Sequence, residues 1–207
     1  MGRESVATST HPLTHGHLKR VAFDLETLRT KAEKESFLQY KMSAGVSVLC
    51  AIDLDTGHPW FFCDGDIGAF SLDAFAQICR DSKLLVSYNG HTFDIPVLQT
   101  STERLITVMN HVDLLQCIWR AIKPFRGRYK KGDWTLDRVS KDTLGSRKLM
   151  DDGAFAPQKW NEGRIGEVST YCYMDTWLTA ELYKFISDNG FVLDPYGREI
   201  EINLDPC

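Results

Sequence analysis

Hydrophobic and polar positions alternate with different periods along the chain, and these periods predict both strands and helices. Four segments have the composition or alternation of short β-strands, namely residues 21–25, 44–54, 58–63 and 84–88. The turn Asp55-Thr56-Gly57 predicts a hairpin between the second and the third of them. Alternation over residues 191–204 predicts a strand pair near the end of the sequence.

Other segments carry apolar residues at the spacing of amphipathic helices. They are residues 71–80, 93–100, 111–122, 135–144 and 164–188. Ser71 is a predicted N-cap, Gly145 closes the fourth helix, and Asn189-Gly190 ends the last. This order of elements predicts one α/β domain, a mixed β-sheet flanked by helices. We place the domain at residues 20–207, after a flexible leader of residues 1–19.

Composition narrows the class of protein. Of the 207 residues, 43% are hydrophobic and 25% are charged, close to the average for soluble globular proteins. No apolar run approaches the ~20 residues that a membrane-spanning helix needs, and the first twenty residues lack the apolar core of a signal peptide. We therefore expect a cytoplasmic protein with no membrane partner.

Net charge and cysteine spacing argue against two further classes of protein, polycations that coat duplex DNA and zinc-finger proteins. A net charge of -4 is not that of a polycation that coats duplex DNA. None of the six cysteines forms a Cys-x-x-Cys pair, and no histidine stands at zinc-finger spacing. We expect most of the cysteines to be buried free thiols.

The first candidate for chemistry is an Asp-x-Glu pair at the end of the first strand. The period of two places the side chains of Asp24 and Glu26 on the same face. Two adjacent carboxylates repel each other unless a cation lies between them, and their hard oxygens suit Mg²⁺ or Mn²⁺. In a chain with 18 Asp and 10 Glu, about one such pair is expected by chance. Taken alone, the pair fits a solvated strand end better than a metal site.

A third carboxylate follows the buried strand 84–88. Asn89-Gly90 forms a turn there, and Asp94 opens the next helix near the carboxyl end of that strand. Pro96 is tolerated in the first turn of a helix and defines its start. Open α/β sheets bind their ligands at the carboxyl ends of strands. Taken alone, Asp94 fits a helix N-cap as well as a functional site.

The fourth carboxylate lies inside the longest predicted helix. Tyr171 and Asp175 are four residues apart and share one face of that helix. An aspartate within an otherwise apolar helix is costly unless it is paired or bound to metal. The alternative is that Asp175 lies on an exposed stripe of the helix. Tyr173 points elsewhere and is interpreted as a packing residue.

In this order the motifs Asp24-x-Glu26, Asn89…Phe93-Asp94 and Tyr171-x-x-x-Asp175 resemble the three exonuclease motifs of the DEDD superfamily. These are 3′→5′ exonucleases with a ribonuclease H-like fold. A Tyr four residues before the last Asp resembles the tyrosine (DEDDy) branch, because the histidine branch would need His at position 170, which is Thr. The resemblance covers residues 21–186. It is greatest to the proofreading domains of family B DNA polymerases and to stand-alone bacterial and viral exonucleases, which implies a prokaryotic or viral origin.

The resemblance implies a mechanism with two divalent cations, Mg²⁺ or Mn²⁺. Asp24, Glu26 and Asp175 would hold the cation that activates water, and Asp24 would bridge to the second. Asp94 would support that second cation through water, and Tyr171 would position the attacking water. The implied activity removes nucleoside monophosphates from the 3′ ends of single-stranded nucleic acid, DNA in preference to RNA.

Substrate contacts follow partly from the resemblance and partly from charge. By resemblance, four residues contact the terminal nucleotide: Thr27, Leu28, Asn89 and Phe93. Leu28 and Phe93 fit ordinary core packing equally well. A basic segment over residues 120–141 interleaves cations with aromatic residues, as a channel for single strands requires. Its candidate phosphate contacts are Arg126, Arg128 and Lys130, and the alternative is a solvated loop.

Two other functions stay open at this point. One is a non-catalytic nucleic-acid-binding module of the same fold. The other is an exoribonuclease specific for RNA or short oligonucleotides, because recognition of the 2′-hydroxyl depends on pocket geometry. Replication or repair proteins are the class of protein partner that the resemblance suggests.

Overall fold

A mixed sheet forms the centre of the fold. The computed structural model describes residues 19–63, 70–130, 132–146 and 155–206. Its strands are β1 Arg20–Thr27, β2 Val46–Asp53, β3 Pro59–Phe62, β4 Leu84–Ser87, β5 His111–Asp113, β6 Phe191–Leu193 and β7 Glu199–Glu201. The first five form one sheet in the order β3-β2-β1-β4-β5, and β6 pairs with β7 separately. Strands β1, β4 and β5 are parallel, while β2 is antiparallel to both of its neighbours.

Helices cover both faces of this sheet. They are α1 Phe37–Ser43, α2 Leu72–Asp81, α3 Asp94–Ser101, α4 Leu114–Ile122, α5 Leu136–Leu144, α6 Ala156–Asn161 and α7 Ile165–Asn189, with a 3₁₀ helix over Lys123–Arg128. The side chain of Ser71 caps α2 by accepting a hydrogen bond from the Ala74 amide. Gly145 and Gly190 end α5 and α7 in the left-handed conformation, as predicted. The predicted α/β domain with a mixed, helix-flanked sheet is confirmed.

Alternate residues of β1 face different helical layers. Phe23 packs with Phe75 on one face, with ring centroids 5.2 Å apart. Ala22 faces the opposite layer, where it packs with residues of α4, α5 and α7. The pairing of β1 with β2 is regular up to Glu26, and the register shifts only between Glu26 and Thr27. Asp24 and Glu26 therefore lie on the same face as Ala22, which is the face that α7 covers.

The prediction of one helix over residues 111–122 is wrong at its start. Residues 111–113 form the edge strand β5, which pairs with β4, and α4 begins only at Leu114. The Asp113 carboxylate caps α4 by accepting hydrogen bonds from the amides of Leu115 and Gln116. A strand of three residues is too short to show a period of two, so its apolar positions were indistinguishable from helical spacing.

The described cysteines agree with the expected burial. Cys50, Cys63, Cys79, Cys117 and Cys172 are all buried, and none of these five forms a disulfide. No helix within the described ranges is both long enough and apolar enough to cross a membrane. Residues 1–18 of the predicted leader lie outside the described residues.

The buried His111 predicts a specific effect of pH on stability. Its Nε2 lies 2.8 Å from the Ser87 hydroxyl, and burial lowers its pKa to about 4. A histidine in the unfolded chain titrates near 6.5, so the unfolded state takes up the proton first as the pH falls. The stabilisation from neutral His111 is therefore complete above pH ~6.5 and is lost as the pH falls towards 4.

We expect the wild type to lose on the order of 3 kcal/mol of unfolding free energy relative to His111→Gln between pH 7 and pH 4. Urea denaturation of both proteins across this range measures the difference. Taking the difference cancels other titrating groups, among them the buried Asp94. A difference that does not change with pH would contradict the assignment.

Candidate functional site

Three of the predicted carboxylates converge at one end of β1. Asp24 and Glu26 come from β1, and Asp175 comes from α7, which packs across β1 and β2. One oxygen from each lies within 4.8 Å of the others. Asp175 is only 7% exposed, so it does not lie on a solvated stripe of the helix. Three hard oxygen donors at this separation fit a divalent cation such as Mg²⁺ or Mn²⁺.

The close approach of α7 to β1 depends on small residues of the helix. Cys172 is fully buried against Val48 and Cys50 of β2, and its thiol lies 3.4 Å from the Asp24 carbonyl oxygen. The Thr176 hydroxyl lies 2.8 Å from the Cys172 carbonyl oxygen, to which it donates, and 3.5 Å from the Cys50 carbonyl oxygen of β2. Larger side chains at these positions would push the helix away from the strand. This packing brings Asp175 to the acidic pair of β1.

Asp94 lies beside the three converging carboxylates and is 4% exposed. One of its oxygens accepts a hydrogen bond from the Leu25 amide at 3.2 Å, which ties the start of α3 to β1. Burial, with a smaller contribution from the charges of Asp113 and Asp175, raises the pKa of the Asp94 carboxyl to about 7. It is the first helical residue and not the N-cap, which is Phe93. Its predicted support of a second cation stays a prediction.

The turn between β4 and α3 places Asp94 there. Asn89 has φ 71, a left-handed conformation that Asn tolerates better than most residues. Asp113 holds the turn because its carboxylate accepts hydrogen bonds from the amides of Asn89 and His91. A Cβ atom on Gly90 would come within 2.3 Å of the Ser87 hydroxyl oxygen, so only glycine fits. The Asn-Gly pair is thus required by this tight connection.

A cleft of about 270 Å³ contains the carboxylates. Eight of the predicted site residues line it: Asp24, Glu26, Thr27, Asn89, Phe93, Asp94, Tyr171 and Asp175. Of the other predicted substrate contacts whose side chains are described, Leu28, Arg128 and Lys130 lie outside this lining. The side chain of Arg126 lies outside the described part of the structure. The structure therefore assembles the three motifs in one cleft, and none of the described cations of the basic segment lines it.

Three further residues line the cleft and were not predicted: Leu25, Tyr40 and Tyr88. The Tyr40 hydroxyl lies 2.9 Å from that of Thr27. A sequence signal for Tyr40 existed, because Ser36 and Gln39 form a capping box that starts α1. The Tyr88 hydroxyl donates to the Trp134 carbonyl oxygen at 2.7 Å.

Phe93 combines the two roles considered for it. Its ring lines the cleft and also packs against Phe37 and Tyr40, with centroid distances of 5.8 Å and 6.0 Å. Leu28 is 41% exposed and is not a core residue. Its side chain lies against Gly45, where an added Cβ atom would be 2.7 Å from the Leu28 Cδ1. A contact of Leu28 with substrate stays a prediction.

Several of the described cations in the basic segment are engaged in local contacts. Arg120 donates to the Asp205 carbonyl oxygen, and Arg138 forms an ion pair with Asp142. Arg128 lies over the ring of Phe125, 5.0 Å from its centroid. Lys130 is exposed and lines a separate cavity. Local pairing therefore occupies some of these cations, and their contact with phosphates stays a prediction.

Comparison with known proteins agrees with this architecture. A family model described as the RNase H superfamily matches residues 21–187, which include β1 to β5 and nearly all of α7. No curated protein matches the chain. The match covers well over half of the sequence and includes each of the three motifs. The chain therefore belongs to the RNase H superfamily.

Proposed function

We propose that this protein is a metal-dependent 3′→5′ exonuclease of the tyrosine (DEDDy) branch. It removes nucleoside monophosphates from single-stranded nucleic acid, and DNA is preferred to RNA. The observation that carries the proposal is the convergence of Asp24, Glu26 and Asp175 in a cleft that Tyr171 also lines. Membership in a superfamily of nucleic-acid-directed enzymes supports it.

The donor set of the cleft suits divalent cations. Asp24, Glu26 and Asp175 would hold one cation, and Asp24 with Asp94 would hold or support a second. Among the described residues that line the cleft there is no Lys or Arg to balance these carboxylates. When bound, Mg²⁺ or Mn²⁺ supplies charge neutralisation at the scissile phosphate and lowers the pKa of a bound water.

The residues of the chain itself orient the reactants. Tyr171 lines the cleft one helical turn from Asp175 and is 9% exposed, which supports a role for its hydroxyl in orienting the attacking water. A tyrosine in water titrates near 10, so it is protonated at neutral pH and is a poor base there. We therefore propose that it orients the water and does not deprotonate it. Thr27, Asn89 and Phe93 form the wall that would contact the terminal nucleotide. The terminal nucleotide would lie in this cleft of about 270 Å³.

The presence of all four carboxylates with Tyr171 favours an enzyme over a non-catalytic binding module. End-labelled strands test the reaction directly. A single-stranded DNA with a 3′ label should release labelled mononucleotide at once, whereas the same strand with a 5′ label should shorten stepwise. Internal cuts as the first products would contradict the exonuclease proposal. Faster degradation of the matched RNA would overturn the DNA preference and favour an exoribonuclease.

We expect Tyr171→Phe to lower turnover by about 10²–10⁴, the usual contribution of a positioned proton-handling group. The ring still packs on α7, so the fold and metal binding should persist. Turnover on a 3′-labelled strand and the Mn²⁺-induced rise in melting temperature measure the two effects separately.

Tyr173→Phe is the matched control because Tyr173 packs against a buried cluster on a different face of the same helix. It should turn over substrate at nearly the wild-type rate. A larger loss in Tyr173→Phe than in Tyr171→Phe would refute the role of Tyr171 and the assignment to the tyrosine branch.

A further inference from the structure

A second cavity lies apart from the carboxylate cleft. Its volume is about 600 Å³, within the range of small-molecule sites, and it opens to solvent. The residues that line it are Gln116, Trp119, Tyr129, Lys130, Gly132, Trp134 and Thr135. In the described ranges no residue lines both this cavity and the cleft. It is therefore a distinct cavity, and we call it the aromatic cavity.

Two hydrogen-bonded connections join the aromatic cavity to the cleft. Tyr88 lines the cleft, and its hydroxyl donates to the carbonyl oxygen of Trp134 at 2.7 Å. The Asp113 carboxylate accepts from the amide of Asn89 in the cleft wall and from that of Gln116 in the cavity wall. Both sites therefore lie at the carboxyl ends of β4 and β5, the edge where open α/β sheets bind ligands. About one tyrosine side chain separates them.

Tyr129 and Trp134 of the aromatic cavity are held by a contact with each other and by one with a residue outside the cavity. The Tyr129 hydroxyl donates to Asp194 at 3.2 Å. Its ring meets Trp134 edge-on, with centroids 4.9 Å apart and an interplanar angle of 73°. Such rings need no reordering to receive a flat ligand, which lowers the entropic cost of binding.

The polar groups of the cavity match a nucleotide. Trp134 lines the cavity and is only 4% exposed, so its ring is a fixed part of the wall. Lys130 is exposed and lines the same cavity, where its ammonium suits a phosphate. Aromatic rings beside a cation are the usual combination for single-stranded nucleic acid.

We propose that the aromatic cavity binds a nucleobase of the substrate strand upstream of the nucleotide held in the cleft. This inference rests on the proposed exonuclease function, since it assigns a second contact to the same strand. Trp119 provides the stacking surface, the Gln116 amide meets the base edge, and Lys130 meets an adjacent phosphate. A base can enter only when it is unpaired, so the cavity selects single strands.

An abasic scan of the substrate tests the proposal without altering the protein. A 5′-labelled single strand receives one abasic nucleotide at each position in turn. Binding is measured by fluorescence anisotropy with Mg²⁺ present, on strands whose 3′-terminal linkage is a phosphorothioate, which slows cleavage. We expect one upstream position to weaken binding by about 5- to 150-fold, the equivalent of losing one stacked base.

Three protein variants locate that effect. In Trp119→Ala the sensitive position should become insensitive, while turnover on a dinucleotide, which reaches only the cleft, stays at the wild-type level. Lys130→Ala should reduce the salt dependence of binding by about one phosphate contact. Trp160→Ala is the matched control, because Trp160 is a half-buried tryptophan that lines neither site. In this variant the same abasic position should weaken binding as in the wild type.

The outcomes separate this inference from the proposed function. Suppose that the wild type degrades strands from the 3′ end and yet binds every abasic strand with equal affinity. That result would overturn the second contact and leave the exonuclease proposal standing. Equal affinity for all abasic strands is also expected if the aromatic cavity binds a protein partner. If the abasic position that weakens binding in the wild type still does so in folded Trp119→Ala and in Lys130→Ala, the base binds elsewhere. The assignment to the aromatic cavity would then be overturned. A wild type that neither binds nor cleaves any strand overturns both proposals.

Discussion

Excess chelator is expected to abolish cleavage completely, and Mn²⁺ or Mg²⁺ is expected to restore it. Three carboxylates approach within 4.8 Å in the cleft, and no described cation of the protein lines it. Without a metal, this negative field would repel the phosphate of the substrate and leave the developing charge of the reaction unneutralised. The rate of release from a 3′-labelled strand, measured against free Mn²⁺ concentration, checks the prediction.

A second measurement makes the metal requirement independent of activity. A cation that binds the folded state and not the unfolded state raises the free energy of unfolding, by about 2.7 kcal/mol at a hundred times its Kd. Mn²⁺ should therefore raise the melting temperature of the wild type in a saturable manner. Full activity in excess chelator would refute the metal mechanism, whatever the melting curves show.

Substitution of either aspartate in the cluster of Asp24, Glu26 and Asp175 is expected to have the second large effect on activity. Asp24→Ala and Asp175→Ala should each reduce cleavage to background and remove the Mn²⁺-induced rise in melting temperature. The metal-free variants should be as stable as the wild type or more stable. Each substitution removes one charge from a cluster of like charges, and that repulsion disfavours the folded state.

Asp188→Ala provides the matched control, because Asp188 lies exposed near the end of the same helix as Asp175. It should retain activity and the response to Mn²⁺. Melting curves of the metal-free proteins decide whether the loss of activity is chemical. A large fall in the melting temperature of metal-free Asp24→Ala or Asp175→Ala would mean that these aspartates stabilise the fold.

Local periodicity accounted for most of the secondary structure and for the pairing of site residues within each element. A strand repeats every two residues, so Asp24 and Glu26 had to share a face. A helix repeats every 3.6 residues, so Tyr171 and Asp175 had to share another. The ends of α2, α5 and α7 were equally predictable, because a capping hydroxyl and left-handed glycines act through the nearest few residues.

Only tertiary packing determined which helices and strands lie next to each other. The sequence alone contains no distance between Asp24 and Asp175; that distance depends on the packing of Cys172 and Thr176 against β2. Strand β5 exists because its three residues pair with β4, and its own sequence is too short to predict it. The aromatic cavity likewise joins α4 to residues 129–130 and 132–135, which meet it only in the folded chain. Local patterns determine which way a side chain faces, whereas the contacts of distant segments determine what it faces, because they depend on how the whole core packs.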